Sequence, residues 1–254
     1  AALTRALRGT SAKTGAGVDG WPVKDLALLP PDAWERIADV CNAVEHGNRW
    51  PEALAQGRVV LIPKAEPMQG LVAADALRPI TVLSQIFRLW GSVRMEHLTP
   101  WARTWMAPHQ TGLRGGPGAS QLLWATAVQV EMQVAQNLLT VGISFDLAKA
   151  FDTVDWNAVL GFADTLGAPH GPLQAAVRMY AQMCRFFQAP GTRVVSKGLT
   201  ADRGIPQGCA LAPLLMAIIT RFWAAHLGRA GLYGSFNARM VVDDLHVILT
   251  YPAD

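Results

Sequence analysis

An α+β fold, with helices packed on an antiparallel sheet, follows from three features of the 254-residue chain. Hydrophobic residues make up 51% of it and charged residues 16%, which supplies enough apolar surface to offset the ordering entropy that leaves polar chains disordered. β-prone runs at 58–63, 138–145, 236–242 and 245–250 are interspersed with apolar stretches of helical period. The order lacks the regular strand–helix alternation of a doubly wound parallel sheet, so an antiparallel sheet is expected.

Residues 32–47 read as a helix because Asp32 and Glu35 form a capping-box pattern, Ile37, Val40, Cys41 and Val44 recur at helical spacing, and Gly47 closes the run. Residues 58–63 (RVVLIP) form a short strand that ends at proline. A second helix, 84–101, offers Ile86, Leu89, Trp90, Val93 and Leu98 for burial. The glycine-rich stretch 111–120 (TGLRGGPGAS) is a loop, and Ser120 is placed to cap the apolar helix that runs to about residue 136. Residues 138–145 (LLTVGISF) form a strand that ends directly on Asp146. Helices near 155–166 and 172–183, short strands near 185–188 and 193–197, and a loop with an apolar helix over 204–227 follow. The last two β-prone runs flank Asp243 and Asp244, which describes a hairpin with paired carboxylates at its tip. Helical apolar context assigns Trp90, Trp124 and Trp223 to core packing.

Several classes are disfavoured. The longest uncharged run, 204–220, has 17 residues and carries Pro206 and Pro213; a membrane span needs about 20 apolar residues. The amino terminus has no basic region followed by an apolar stretch and a cleavage site. It also lacks a starting Met, as a fragment would. Cys41, Cys184 and Cys209 are far apart and form no CxxC, so they are expected to be reduced intracellular thiols. The segment 15–20 (GAGVDG) matches GxGxxG, yet no strand precedes it, and the 115–118 loop has no Lys-Ser or Lys-Thr. Neither is a nucleotide-binding signature.

The net charge of +3 conceals a segregation. From residue 176 to 239, Arg178, Arg185, Arg193, Lys197, Arg203, Arg221, Arg229 and Arg239 face one acid, Asp202, a local +7. Asp146, Asp152, Asp155 and Asp164 precede this stretch, and Asp243 and Asp244 follow it. Such an arrangement suits a polyanion held beside a metal site, although a solvated basic surface accounts for the charge equally well. Carboxylates brought together repel unless a cation neutralises them, and Mg²⁺ prefers oxygen ligands. Two ions about 3.5–4 Å apart suit nucleotidyl transfer.

Residues 145–155 (FDLAKAFDTVD), 204–213 (GIPQGCALAP) and 241–244 (VVDD) resemble the three palm motifs of reverse transcriptases, in the same order. The wording is most similar to the polymerases of non-long-terminal-repeat retrotransposons and group II introns. Upstream, 13–22 (KTGAGVDGWP), 60–64 (VLIPK), 77–83 (LRPITVL) and 109–114 (HQTGLR) resemble their fingers segments. The resemblance implies a right-hand polymerase with fingers and their connection to the palm over 1–138 and the palm over 139–254. It also implies a chain truncated before the thumb.

By the same resemblance Asp146 and Asp243 are metal ligands joined by the Leu147 carbonyl, and Asp244 is the other motif carboxylate. Phe151 matches the bulky residue beneath the incoming sugar, where a ring leaves no room for a 2′-hydroxyl. Gln207 and Gly208 match the turn lining the nucleotide pocket, and Lys64 and Arg78 match cationic residues over the triphosphate. The implied cofactor is a pair of Mg²⁺ ions, with Mn²⁺ as a substitute. The implied partners are an RNA template, a DNA primer, dNTPs and further domains of the same polyprotein, at a cytoplasmic or nuclear location and without a membrane. Val241 departs from the family's usual aromatic. Two alternatives stay open: a domesticated nucleic-acid-binding remnant that no longer polymerises, and an RNA-dependent RNA polymerase, which Phe151 disfavours.

Overall fold

A computed structural model describes residues 1–64, 73, 76–106, 110–111, 113, 118–189, 191–192, 194–229, 237–241 and 244–252. In chain order the elements are α1 (Ala2–Arg8), α2 (Val23–Leu26), α3 (Pro31–Glu45), β1 (Gln56–Pro63), β2 (Leu77–Leu83), α4 (Gln85–Trp105), β3 (Gln110–Thr111), α5 (Ala119–Ala135), β4 (Leu138–Phe145), α6 (Ala150–Thr153), α7 (Trp156–Thr165), α8 (His170–Gln182), β5 (Cys184–Gln188), α9 (Ala212–Arg229), β6 (Asn237–Val241) and β7 (Asp244–Pro252). The mixture is α+β, as the sequence predicts. No helix among the described residues is long and apolar enough to cross a membrane.

The chain forms two compact units, each discontinuous in sequence. The first comprises Ala1–Pro100, Phe151–Trp156 and Ala168–Ala212. Its sheet has the order β2-β1-β5. β1 pairs antiparallel with β2 but parallel with β5, so this sheet is mixed. The long stretch between β1 and β5, which carries helices together with β2, β3 and β4, supplies the crossover that parallel pairing requires. The strand expected at 193–197 is reduced to single bridges, Gln188 with Val195 and Arg185 with Leu199.

An aromatic cluster fills the core of this unit. Trp50 meets Phe87 and Trp90 edge-on at 5.2 Å between centroids, and Phe87 meets Tyr180 at 6.5 Å. The polar edges are satisfied: the Trp50 indole donates to the Ala175 carbonyl at 2.8 Å and the Trp90 indole to Glu45 Oε1 at 2.6 Å. Trp34, Cys41 and Val44 of α3 are buried, whereas Val40 is 37% exposed, contrary to its assignment to the packed face. The expected Asp32–Glu35 capping box is absent. Pro30 occupies the N-cap and Pro31 the first turn, where a missing N–H costs nothing. Gly47 closes the helix with φ +114. α4 runs past its expected end, through Pro100.

The second unit comprises Trp101–Ala150, Asn157–Gly167 and Pro213–Asp254. Its sheet has the order β3-β6-β7-β4. β4, β7 and β6 are antiparallel, and the two-residue β3 joins β6 in parallel. Phe145 of β4 meets Trp223 of α9 edge-on at 5.5 Å, and Phe162 of α7 stacks on Phe222 at 4.3 Å. α5 begins at Ala119 after an N-cap Gly118, so Ser120 lies inside the first turn and is not the cap. Gln121 Oε1 instead accepts from the Gly118 N–H at 3.2 Å. Trp124 is 73% exposed, which overturns its core assignment. α5 is apolar on several sides, and the side that packs carries Leu122 and Gln133, the latter accepting from Thr140 Oγ1 of β4 at 3.0 Å.

Candidate functional site

β4 runs to Phe145 with most of its residues exposed, and Asp146 follows at once as an exposed carboxylate. The chain then turns sharply. The Leu147 carbonyl accepts the Ala150 N–H at 3.1 Å, and Lys149 takes φ +51, a left-handed conformation that costs a non-glycine residue about 1–2 kcal/mol. Strain of this kind at the end of a strand re-aims the chain directly into α6. The last β4–β7 pair is Phe145 with Leu245, and Asp244 opens β7 opposite Val241. Asp146, the residue after the last paired position of β4, and Asp244, the first residue of β7, therefore stand at the same end of two neighbouring strands.

Asp243 lies outside the described residues, and among the described residues no group of three His, Cys, Asp or Glu is placed to hold a metal ion. The described donors at this end of the sheet are oxygens, the exposed Asp146 carboxylate and the Leu147 carbonyl, the donor type that a hard divalent cation such as Mg²⁺ takes.

The remaining candidates belong to the first unit. Lys64 and Arg78 lie on the arm formed by β1 and β2, since Ile62 pairs with Arg78 and the Lys64 N–H donates to the Ala76 carbonyl at 2.9 Å. Residues directly opposite share a face, as do residues two apart, so Lys64 and Arg78 occupy the same face of the arm. Both are exposed. Thus two separate sequence segments, 60–64 and 77–83, turn out to be the paired strands of one structure.

Gln207 and Gly208 dock on the free edge of β2. The Thr81 N–H, turned away from β1, donates to the Gln207 carbonyl at 2.7 Å. Gly208 has φ +121, and a Cβ there would stand 2.5 Å from the Thr81 carbonyl oxygen. Only glycine fits this approach. Phe151 is half-buried, and its carbonyl accepts the Ile205 N–H at 2.7 Å. One hydrogen-bonded chain therefore links Phe151, the 205–208 segment and β2, three residues from Arg78.

Gly204 and Thr81, inside the 204–213 and 77–83 segments, serve this arrangement, and so does Trp156, which no sequence motif included. Arg185 is one of the basic residues of the 176–239 stretch. Burial lowers its pKa, against the opposing pull of the Asp152 carboxylate and of Tyr180. Burial also raises the Tyr180 phenol well above its ordinary value, and its hydroxyl donates to Cys209 Sγ at 3.0 Å.

The 15–20 segment is a packing turn. A Cβ on Gly17 would lie 2.8 Å from both the Leu83 carbonyl and Ser84 Cα, and the Arg88 guanidinium donates to the Gly15 carbonyl. Of 109–114, Gln110 is buried and donates to the Ala217 carbonyl at 3.0 Å, while His109, Gly112 and Arg114 lie outside the described residues.

Residues 62–250 match the family described as reverse transcriptase (RNA-dependent DNA polymerase). The chain is also similar to a Drosophila melanogaster protein described as "Probable RNA-directed DNA polymerase from transposon BS". Identity is 22% over 221 residues, which is 86% of this chain and 24% of that protein. The chain thus spans about a quarter of the relative's length.

Proposed function

The chain belongs to the reverse transcriptase (RNA-dependent DNA polymerase) family, and from this premise we propose that it forms the fingers (1–138) and palm (139–254) of a retrotransposon polymerase. The reaction is nucleotidyl transfer from a dNTP to a primer 3′ end on an RNA template. The observation that carries this reading is the β4–β7 register, which sets Asp146 and Asp244 at one end of adjacent strands.

Asp146, Asp243 and Asp244, with the Leu147 carbonyl, would hold two Mg²⁺ ions, or Mn²⁺ in their place. When bound, the metal supplies charge neutralisation and activation of the primer hydroxyl. The protein's own groups do the rest. Lys64 and Arg78 share one face of the β1–β2 arm and offset the triphosphate charge through charge-assisted contacts. Phe151 occupies the space a 2′-hydroxyl needs. The Gln207–Gly208 turn brings backbone against the nucleotide, because Gly208 has no side chain to hold it off. The RNA template, DNA primer and further domains of the same polyprotein are the partners of this reading.

Primer extension on an RNA template tests it. Asp146→Asn and Asp243→Asn, each in the full chain, are expected to lower Mg²⁺-dependent extension by about 100-fold or more, the scale of a lost electrostatic stabiliser. Unchanged extension in either variant would overturn the assignment, and salt-dependent RNA binding without extension by the wild type would favour a binding remnant.

A further inference from the structure

The segment carrying Phe151 is held by one clasp. The Ile205 N–H donates to the Phe151 carbonyl at 2.7 Å and the Gly204 N–H to the Val154 carbonyl at 2.8 Å. The Trp156 indole closes the clasp by donating to the Gly204 carbonyl at 2.8 Å. Gly204 is buried, with φ +91, and a Cβ there would stand 2.8 Å from the Asp152 carbonyl oxygen. Its backbone therefore lies flat against the segment, and Ile205 beside it is 2% exposed. Every member belongs to the first compact unit.

We infer that Trp156 is a positioning residue for sugar selection, setting through Gly204 how strictly Phe151 excludes ribonucleotides. This rests on the sugar-selecting role proposed for Phe151. Glycine in the left-handed region has wide conformational freedom, so its placement depends on the bonds made to its two polar groups. One of these is the carbonyl that Trp156 holds. Gly204 is buried and Trp156 half-buried, so a carbonyl left unpaired there is costly enough for the backbone to shift in search of another partner. Any shift at Gly204 passes to Ile205 and thence to the Phe151 carbonyl. Discrimination against a single hydroxyl is a steric contest decided by fractions of an ångström, so this displacement reaches selectivity before it reaches catalysis. The same clasp leads through Pro206 into Gln207, tying the sugar-facing and base-facing parts of the pocket to one anchor.

The test compares wild type, Trp156→Phe, Phe151→Ala and the double variant in the full chain. Single-nucleotide incorporation of dCTP and of CTP on a primed RNA template is measured. Trp156→Phe keeps an aromatic ring, smaller than the indole, and loses the donor. It is expected to lower the dCTP/CTP ratio of kcat/KM about tenfold, with dCTP incorporation itself changed less than about threefold. Phe151→Ala is expected to lower the ratio further, with the double variant indistinguishable from it because the two act through one element. A purely structural role for Trp156 depresses both nucleotides equally. An unchanged ratio, or an equal loss on both nucleotides, in Trp156→Phe beside a relaxed Phe151→Ala overturns this inference alone. An unchanged ratio in Phe151→Ala, or a wild type that incorporates neither nucleotide, overturns the underlying reading and this one with it. Amide hydrogen exchange at Gly204 and Ile205 gives a readout free of activity: faster exchange in Trp156→Phe is expected, and unchanged protection there overturns the clasp.

Discussion

Two separate constraints meet at Gly208. Its φ of +121 strains any side chain, and its Cβ position is 2.5 Å from the Thr81 carbonyl oxygen. Gly20 isolates the first constraint, since its φ is +73 and nothing lies within 4 Å of its Cβ position. Gly208→Ala is therefore expected to destabilise by about 2–4 kcal/mol and Gly20→Ala by about 1 kcal/mol, measured by urea unfolding, because overpacking adds to strain only at the first site. Equal losses would mean that the 205–208 turn does not press on β2. The importance of Gly208 was legible beforehand, because a proline-led turn ending in glycine announces itself. Trp156 was not legible. Its role depends on which carbonyl lies opposite a single indole N–H, and no spacing rule encodes a contact between residues 156 and 204.

The strands at 138–145 and 245–250 were readable as β-prone runs beside acids, and so was the antiparallel pairing of 237–241 with the chain that follows Asp243. The β4–β7 pairing, which sets Asp146 and Asp244 at one end of neighbouring strands, joins runs far apart in the chain and was not legible in the sequence. α5 shows where such reading stops. An apolar helix gives no stripe to orient it, so the sequence could not say that Leu122 and Gln133 face inward while Trp124 stays out. The cap of α3 was misread for a different reason, since two successive prolines start the helix before Asp32 can act. Trp90→Ala is expected to cost about 3–5 kcal/mol, because it empties the Trp50–Phe87–Trp90 cluster. Trp124→Ala is expected to stay within about 0.5 kcal/mol of wild type, because an exposed ring leaves no cavity behind. Thermal or urea denaturation of both distinguishes them, and a large loss at Trp124 would show that α5 buries this face against something in the folded protein.

For the whole molecule, net charge and composition said little about stability, whereas the cysteines say something specific. Cys41 and Cys209 are buried and Cys184 half-buried, each without a disulfide partner in the structure. Burial, aided by the Glu45 carboxylate and opposed by Arg94, pushes Cys41 from 9.0 up to about 12. Burial also raises Cys209. A thiol that ionises at pH 9 in the unfolded chain and near 12 in the folded one leaves neutral-pH stability untouched. Between those values the unfolded state has released a proton that the folded state retains, so rising pH favours unfolding. One such group removes up to about 1.4 kcal/mol of stability per pH unit across that window. Cys41→Ala is expected to lower stability at pH 8 through its cavity and then to lose less than wild type as pH rises from 9 to about 12. The stability difference between the two proteins should therefore narrow, read as urea midpoints at pH 8, 9.5 and 10.5. Parallel curves across that range would mean that Cys41 ionises in the folded protein as readily as in the unfolded chain. The packing of α3 against the first unit's core would then be looser at Cys41 than its 3% exposure implies.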